Sequence, residues 1–558
     1  MKKYILLFTM FSIFGQFVNA QIFHKMETYT KGDTLRGTLG PERNWFDVTH
    51  YNLNLTLNVE DKTISGYNEI SFNVDKPNSV MQLDLFENMN VDSIIINGKS
   101  LDFERTFNAV MIQVPKLEKG SNEKVKFYYS GKPIIAVNPP WDGGFVWSKD
   151  DNGKDWIGVA CQGMGASAWY PNKDHQSDEP DSVLVSVAVP KDLMFVGNGN
   201  LRGMKAEGDL VRYDWAVTYP INNYNVTLNV ADYVKIDDYY VGQRGDTLDI
   251  DYFVLINNKE KAEKHFKRDV GPMLKCFEEH LGEYPFWDDG FALVETPYLG
   301  MEHQSAIAYG NKYKDGYAGN LNFTDGLKFD YIVIHEAGHE WWGNSVTSKD
   351  IADMWIHESF CTYSESVFVE CIHDYETAQS YVNNSKQFIR NQEPIIGVYG
   401  VNKRGSGDMY QKGSLFLNTL RHYVDNDKLW WRMLKDLVEK YKYQTLTANE
   451  IFTFYNKESG KNLDKIFEQY LEYPKLPELE YVLEKNGKKH TDFSFRWVAD
   501  VEGFDLPMIY QDKKGDWKRV NPTSNWQTIT VKKVKPNNFK LGEDQFYFRP
   551  VKLNEKIK

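Results

Sequence analysis

The sequence predicts a multidomain α+β protein in which a mainly helical region separates two all-β regions. A chain of 558 residues is too long for one hydrophobic core, so roughly three or four domains are expected. Apolar residues recur at every second position up to about residue 242, at helical spacing over 243–474, and at every second position again over 475–558. These changes of period predict a β domain over 21–242, a mainly helical domain over 243–474 and a small β domain over 475–558.

The first twenty residues have the pattern of a signal peptide. Lys2 and Lys3 precede an apolar run that closes on Val18-Asn19-Ala20, an ending that a signal peptidase accepts. Cleavage after Ala20 would export the protein to the periplasm or the medium, and the alternative is an N-terminal membrane anchor. Residue 21 is glutamine rather than cysteine, which argues against a lipoprotein. No later segment of the sequence reaches the ~18 apolar residues that a membrane span needs.

Alternation of apolar and polar residues predicts the N-terminal β domain. Tyr51, Leu53, Leu55, Leu57 and Val59 are separated by polar residues, which is typical of a strand with one buried face. Turn sequences such as Asn-Gly separate further short runs of this kind, so the domain is expected to be all β. Three of these runs span Met81–Leu85, Ile94–Ile96 and Ser182–Pro190.

Helical spacing of apolar residues marks the middle region. From Asn258 to Leu281 the apolar positions follow a helical period, and Gly282 is placed to end the helix. After Pro474 and Pro477, alternation returns at 493–497 and 528–531, which predicts a small C-terminal β-sandwich. Further predicted helices span Asp325–Trp342, Asp353–His373, Met409–Val424 and Leu429–Lys440.

Charge and cysteine content exclude two classes of protein. The net charge is −13 and the sequence has no basic tract, so a nucleic-acid partner is not expected. Four cysteines in a chain of this length do not make a disulfide scaffold. Cys361 and Cys371 are predicted to lie on one helix, ~15 Å apart and too far to bond. We expect all four, including Cys161 and Cys276, to be small buried residues.

The stretch His335-Glu336-Ala-Gly-His339 is a candidate metal site. Residues i and i+4 of a helix lie on one face, so His335 and His339 can present two imidazole nitrogens to one ion. Glu336 is rotated about 100° from His335 and can reach a water on the open side of the metal. A chance match has odds of roughly one in a hundred in a chain of this length, so the motif alone only suggests zinc. Trp342 and Ser345 replace the Gly and His that a metzincin requires.

A third metal ligand is predicted at Glu358. Eighteen residues lie between His339 and Glu358, which begins the next helical segment and could place its carboxylate beside the two histidines. Glu365 follows two turns later on the same face, where a carboxylate would orient a ligand histidine. The alternative is that both are ordinary solvated helix glutamates. His357 is expected to point away from the metal and to be structural.

These residues resemble the aminopeptidase N-type gluzincins of peptidase family M1, whose signature is H-E-x-x-H, eighteen residues and E. The resemblance covers about residues 45–475 and implies a saddle-like N-terminal β domain, a thermolysin-like catalytic domain and a C-terminal β-sandwich. The sequence departs from the family at His303, where Asn is usual, and at Ser359, where Gly is usual. Three further motifs carry the likeness: Leu299-Gly-Met-Glu-His303, Met409-Tyr-Gln-Lys-Gly413 and Ala160-Cys-Gln-Gly163.

The resemblance assigns the remaining site residues. Tyr410 is expected to donate a hydrogen bond to the oxyanion of the tetrahedral intermediate, with Glu336 as general base. Glu302, assisted by Gln162, is expected to hold the protonated amino group of the substrate. Gly300 and Met301 begin a run to Tyr309 that alternates like an edge strand, along which an extended peptide could lie. One zinc ion on His335, His339 and Glu358 is the expected cofactor.

The predicted activity is removal of N-terminal residues from peptides that have a free amino group. A thermolysin-like zinc endopeptidase would share the metal site without needing an amine anchor. Hydrolysis of an epoxide, as in leukotriene hydrolase, has no specific support among these residues. A secreted peptide-binding protein that lost its chemistry is the non-enzymatic alternative, although His335, Glu336, His339, Glu358 and Tyr410 are all present.

Overall fold

The computed structural model describes residues 28–319 and 326–556. The predicted signal peptide, residues 1–20, lies outside the described residues. Within the described ranges, no helix combines the length and the apolar character needed to cross a bilayer.

The first part of the chain is built from three β-sheets. The eight-stranded sheet has the order β13-β14-β11-β1-β2-β8-β4-β5, a four-stranded sheet the order β12-β15-β10-β9, and a three-stranded sheet the order β3-β7-β6. The elements are α1 (Lys31–Gly37), β1 (Phe46–Asn58), β2 (Thr63–Val74), β3 (Val80–Asp84), β4 (Met89–Ile96), β5 (Lys99–Ser100), β6 (Phe103–Thr106), β7 (Ala109–Gln113), β8 (Asn122–Gly131), β9 (Gly144–Lys149), β10 (Asp155–Ala160), β11 (Ser182–Pro190), β12 (Met194–Val196), β13 (Asn200–Glu207), β14 (Leu210–Val217) and β15 (Asn229–Ala231).

The alternation read from the sequence corresponds to burial in β1. Tyr51, Leu53, Leu55 and Leu57 are each at most 2% exposed, whereas the residues between them are more exposed. The apolar face of β1 therefore packs into the core of the N-terminal domain. β1 is central because β2 pairs with it antiparallel and β11 pairs with it parallel.

The second part combines a five-stranded sheet, in the order β16-β17-β18-β20-β19, with eight α-helices and a small β21–β22 pair among the described residues. The elements are β16 (Tyr233–Val241), β17 (Thr247–Leu255), α2 (Lys259–His280), β18 (Phe291–Glu295), β19 (Gly300–Met301), β20 (Ile307–Tyr309), α3 (Tyr331–Gly338), β21 (Val346–Ser348), α4 (Trp355–Ile372), α5 (Tyr375–Asn384), α6 (Gln411–Val424), α7 (Asp427–Tyr441), β22 (Gln444–Leu446), α8 (Ala448–Ser459) and α9 (Asp464–Phe467).

The last part forms a four-stranded sheet, β27-β24-β23-β28, and a two-stranded sheet, β25-β26. Leu479, Phe493 and Trp497 on these strands belong to the same apolar cluster as the helices, so this region shares its core with the second part. The strands are β23 (Glu478–Asn486), β24 (His490–Val498), β25 (Met508–Gln511), β26 (Trp517–Val520), β27 (Gln527–Val531) and β28 (Arg549–Lys552). The chain is therefore α+β, with a sheet-rich N-terminal domain before a helical region.

Two predicted elements differ from the structure. The helix expected over Asp325–Trp342 is shorter, because the side chain of Asp330 accepts a hydrogen bond from the backbone N–H of Ile332 and caps α3 at that point. The run from Gly300 to Tyr309 is not one strand. It forms the antiparallel pair β19 and β20, with β19 at the edge of its sheet.

The predicted boundary at residue 242 falls inside the β16–β17 hairpin. β16 pairs with β17 along its whole length, and both strands belong to the sheet that carries β19. We therefore propose to place the domain boundary near residue 232, before β16, so that the hairpin stays whole.

The prediction that all four cysteines are small buried residues is wrong for Cys371, and Cys276, although buried, is bonded to it. Cys276 on α2 and Cys371 on α4 form a disulfide across 95 residues of sequence, and Cys371 is exposed. Cys161 and Cys361 are free and buried, as expected. The pairing depends on the packing of α2 against α4, which spacing along one helix does not reveal.

Loss of this disulfide should lower stability without touching the active site. We expect Cys371→Ser to reduce the free energy of unfolding by about 2–4 kcal/mol, because the bond closes a long loop in the unfolded chain. The thermal midpoint under non-reducing conditions measures this loss. As a control, reductant should lower the midpoint of the wild-type protein toward that of the variant and leave the variant unchanged. An unchanged wild-type midpoint in reductant would contradict the assignment.

Candidate active site

His335 on α3 and His339, the C-cap residue of α3, present their Nε2 atoms to the same point. His335 Nδ1 donates to Glu365 Oε1 at 2.7 Å, and His339 Nδ1 donates to the carbonyl oxygen of Trp342 at 2.9 Å. With both Nδ1 atoms engaged in this way, the Nε2 atoms keep their lone pairs for a ligand. Glu365 is itself held by Tyr381, whose hydroxyl donates to Oε2 at 2.6 Å.

Glu358 on α4 completes a set of three candidate metal ligands. Its Oε2 atom lies 3.4 Å from His339 Nε2 and 3.8 Å from His335 Nε2. Three donors bound to one tetrahedral zinc ion at ~2.0–2.1 Å would lie about 3.4 Å from one another. The same Oε2 atom is buried and receives no hydrogen bond from any described residue. The donor types, their spacing and this unpartnered oxygen therefore fit a zinc ion.

Glu336 lies between the two histidines, against the edge strand β19. It is 8% exposed and lines the same cavity as the three ligands. A Cβ atom added to Gly300 would come within 2.7 Å of Glu336 Oε1, so only glycine allows the backbone of β19 to approach this carboxylate so closely. Burial raises the pKa of Glu336 above its ordinary value. Met301, the next residue of β19, also lines the cavity.

Tyr410 lies at the start of α6, facing Glu358. Its hydroxyl donates to Glu358 Oε1 at 2.9 Å. Burial raises the pKa of Tyr410 well above its usual value, and the charge of Glu358 adds to the rise, so the hydroxyl keeps its proton. Ser359, which departs from the family pattern, donates to the carbonyl oxygen of Met409 at 2.7 Å. Gly413 leaves room for it, since a Cβ there would lie 1.9 Å from Ser359 Oγ.

The N-terminal domain contributes to the amine-binding candidates. Gln162, which follows β10, donates through Nε2 to Glu302 Oε1 and lies 3.3 Å from Glu358 Oε1. Tyr224 OH donates to the same oxygen of Glu302 at 3.0 Å. Glu302 is 3% exposed and stands in the cavity beside the metal ligands. The structure thus brings together all the residues predicted for metal, catalysis and amine binding.

Sequence reasoning missed the residues that hold the Glu302 loop. Asn344 Nδ2 donates to the carbonyl oxygen of Glu302 at 2.9 Å. Glu340 Oε1 accepts from the backbone N–H of Ser305 at 2.9 Å. Glu340 follows His339 directly and Asn344 comes soon after it. Polar side chains in such an aromatic-rich, buried stretch could have indicated that these two residues hold a neighbouring loop. Tyr224 had no such signal, because it comes from a distant part of the chain.

His357 has a structural environment. It is fully buried, and its Nε2 atom accepts a hydrogen bond from the backbone N–H of Ser348 at 2.8 Å. Its Nδ1 atom lies 3.4 Å from Tyr224 OH. The ring therefore supports the loop before α4 and a residue that contacts Glu302.

The side chain of His303, next to Glu302, is buried and makes no hydrogen bond to a described residue. It is fully buried, and neither ring nitrogen contacts a polar atom of any described residue. Burial lowers the pKa of His303 to about 3, because a charged ring would lose its hydration there. The histidine that replaces the usual asparagine is therefore neutral at physiological pH.

His303 should make the protein sensitive to acid. Its folded pKa lies below the ordinary value of 6.5, so the unfolded chain binds the proton more readily and stability falls as pH drops from about 6.5 towards 3. We expect His303→Asn to remove about 1.4 kcal/mol per pH unit from this slope. The free energy of unfolding, measured from pH 4 to 7 for the wild-type and variant proteins, tests this prediction. His373→Asn, at an exposed position, is the control. Equal slopes for the wild-type and His303→Asn proteins would contradict the prediction.

The cluster lies in a cavity of about 730 Å³ between the N-terminal domain and the helices. Gln162 and Met164 line it from the N-terminal side, and Glu302, Glu336 and Tyr410 from the other. This volume suits a small ligand of a few residues.

Comparison with known proteins identifies the region around this cavity. The model of the peptidase family M1 domain matches residues 269–470. The chain is 20% identical over 535 residues to probable aminopeptidase 2 of Sulfurisphaera tokodaii, covering 91% of this chain and 64% of that protein. It is 22% identical to aminopeptidase N of Lactobacillus helveticus, covering 84% of this chain and 57% of that protein. The chain thus spans less than two thirds of the length of these relatives.

A solved structure supports the fold. The M1 zinc metallopeptidase of Deinococcus radiodurans superposes with a TM-score of 0.64 at 19% identity, covering 77% of this chain and 95% of that one. This agrees with a sheet-rich N-terminal domain followed by a helical domain. Residues 269–470 thus match the peptidase family M1 domain, and most of the chain is similar in sequence to aminopeptidases, one of them an aminopeptidase N.

Proposed function

We propose that this protein is a zinc-dependent aminopeptidase that removes N-terminal residues from peptides. One observation carries the proposal: the buried carboxylate of Glu302 stands in the same cavity as the donors of His335, His339 and Glu358. A metal site alone would suit many hydrolases. An anionic anchor beside it favours a substrate whose free amino group lies next to the bond that is cut.

One zinc ion is the proposed cofactor, with His335, His339 and Glu358 as its ligands. Two imidazoles and one carboxylate are a usual donor set for catalytic zinc. Glu365 would orient His335 through the 2.7 Å hydrogen bond described above. When bound, zinc supplies a positive charge that makes water more acidic and polarises a carbonyl group.

Glu336 is the proposed general base. Its carboxylate faces the cavity from the same helix as the two histidine ligands, and burial favours its protonated form. A carboxylate with a raised pKa accepts a proton from the attacking water and can pass it to the leaving amine. The close backbone of Gly300 leaves the edge of β19 open for an extended peptide beside this group.

Tyr410 is the proposed hydrogen-bond donor to the developing oxyanion. Its protonated hydroxyl already points into the ligand cluster, at 2.9 Å from Glu358 Oε1. A small rotation would turn it to a carbonyl oxygen of the substrate. Donors of this kind contribute about 3 kcal/mol of transition-state stabilisation.

Glu302 and Gln162 are proposed to bind the substrate's ammonium group. A peptide amino group has a pKa of about 7.7–8.0, so much of it is charged at neutral pH. A blocked or internal amide would leave the buried Glu302 carboxylate without a cation, which costs several kcal/mol. Tyr224 and the backbone hydrogen bond from Asn344 hold Glu302 in place.

Export to an oxidising compartment is part of the proposal. The predicted signal peptide over residues 1–20 is one support. The disulfide between Cys276 and Cys371 is another, since such bonds persist mainly outside the cytosol.

The decisive test compares substrates with free and blocked amino groups. We expect hydrolysis of leucine p-nitroanilide with kcat/KM at least about a hundredfold higher than that of its N-acetylated form, because only the free amine pairs with Glu302. Glu302→Gln should raise KM for the free-amine substrate. Equal rates on both substrates, or rapid cutting inside a blocked polypeptide, would instead identify an endopeptidase.

A further inference from the structure

We propose that Arg404 forms a carboxylate-binding subsite in this cavity, so that the preferred substrates are short peptides that carry a carboxylate as well as a free amine. This inference rests on the proposed aminopeptidase function and names its substrate class. The charge distribution of the cavity, the exposed side chain of Arg404 and the contacts that hold its loop support this subsite.

The charges that line the cavity are arranged with opposite signs. Glu302 and Glu336 are acidic, whereas Lys403 and Arg404 line the cavity on the segment before Tyr410. Arg404 lines the same cavity as Tyr410 and the donors of His335, His339 and Glu358. Two adjacent cations at this place are notable in a chain with a net charge of −13.

Arg404 is available for a ligand. It is exposed, and none of the described residues forms a hydrogen bond or an ion pair with its side chain. Arg421, by contrast, is engaged, since it pairs with Glu370 and Asp427. A guanidinium group offers five N–H donors in a planar fork that matches a carboxylate.

The loop over residues 394–406 holds Arg404 on a rigid support. The two ends of this loop are in direct backbone contact. A Cβ added to Gly405 would lie 1.7 Å from the carbonyl oxygen of Ile395. The backbone N–H of Ser406 donates to the carbonyl oxygen of Pro394 at 3.0 Å. Glycine allows this backbone contact, so the base of the loop is tightly fixed.

Contacts from other elements hold the outer part of this loop. Thr38 Oγ1, after α1, donates to the carbonyl oxygen of Gly400 at 2.8 Å. Gly400 N–H donates to Asp350 Oδ2 at 3.1 Å, and Asn402 N–H donates to the carbonyl oxygen of Asp33 at 3.1 Å. A charged group presented on a support of this kind needs little reorganisation to bind its ligand.

A zwitterionic peptide matches both charged groups. Its ammonium group would pair with Glu302, and its carboxylate with Arg404 near Tyr410. The carboxylate can come from the C-terminus of a di- or tripeptide or from an acidic side chain near the scissile bond. Both sources share the same chemistry at Arg404, so the experiment must separate them.

The test uses three tripeptides with the same free amine: Ala-Ala-Ala, its C-terminal amide, and the amide Ala-Ala-Glu-NH₂. We expect the wild-type protein to favour the free acid over Ala-Ala-Ala-NH₂ by about tenfold in kcat/KM, mainly through KM, as for a hydrogen-bonded charge pair at a partly exposed site. Arg404→Gln should bring this ratio close to one, and Arg404→Lys should restore part of it. Arg202→Gln, at an exposed arginine on β13, is the matched control and should keep the wild-type ratio.

The outcomes separate the subsite from the proposed function. A high rate on Ala-Ala-Glu-NH₂ that depends on Arg404 assigns the subsite to acidic side chains; a low rate assigns it to the C-terminus. Cleavage of both acid and amide with a ratio near one in the wild type, or a ratio unchanged in Arg404→Gln, overturns the subsite but leaves the aminopeptidase intact. Failure of the wild type to cleave any of the three would overturn the proposed function and the subsite with it.

Discussion

Removal of the metal with a chelator should abolish peptide hydrolysis, and added zinc should restore it. His335 Nε2 and His339 Nε2 lie 3.8 and 3.4 Å from Glu358 Oε2, and that oxygen receives no hydrogen bond from a described residue. Without the ion, three buried polar groups lose their shared partner and the carbonyl of a substrate is not polarised. Activity assays after dialysis, with zinc content measured by atomic absorption, test this expectation.

Variants on α4 test which of its carboxylates contribute to zinc binding. Glu358→Ala should lose both zinc and activity, because only two histidine ligands remain. Glu365→Ala should weaken zinc binding by roughly 10–100-fold, since it removes the acceptor that orients His335. Glu370→Gln, farther along α4 and paired with Arg421, is the matched control and should keep full zinc occupancy. Full activity in a zinc-free protein would refute the metal assignment.

Glu336→Gln should keep the metal and lose turnover. The amide has nearly the same shape as the carboxylate but cannot accept a proton, so kcat should fall by roughly 10²–10⁴ with a smaller change in KM. Glu336 is not among the three donors, and zinc content should stay at the wild-type value. Steady-state kinetics on leucine p-nitroanilide and zinc analysis of the same sample measure both effects.

Two controls limit the interpretation of the Glu336 variant. Its thermal midpoint should match that of the wild type, which excludes a folding defect as the cause of lost activity. Gly300→Ala should also reduce activity, because the added Cβ would lie 2.7 Å from Glu336 Oε1 and displace the base or the edge strand. A Glu336→Gln protein that turns over at close to the wild-type rate would show that another group is the base.

Much of the candidate site could be predicted from the sequence because its geometry is local. Residues four apart on a helix must lie on one face, so His335 and His339 converge wherever that helix packs. The same reasoning places Glu365 two turns from Glu358 on α4. Changes of hydrophobic period likewise predicted that a sheet-rich region precedes a helical one, because burial of one face imposes the period on the residues.

Contacts between distant parts of the chain could not be predicted in this way. Tyr224 donates to Glu302 from the N-terminal domain, and Asn344 reaches the backbone of the same residue from beyond the metal helix. The Cys276–Cys371 bond joins two helices that are adjacent only in the folded protein. The start of α3 is set by the capping side chain of Asp330. The spacing of apolar residues carries no information about such a cap.

By itself, the sequence determined the α+β class and predicted that His335, Glu336, His339 and Glu358 form one site, because these features depend on short-range spacing and on the period of burial. Only the tertiary structure decided how Glu302 is held, that two cysteines are joined, that β16 shares a sheet with β19, and that Arg404 lines the same cavity. The physical reason is that these features depend on packing between segments far apart in the chain, and a single sequence records no distances between such segments.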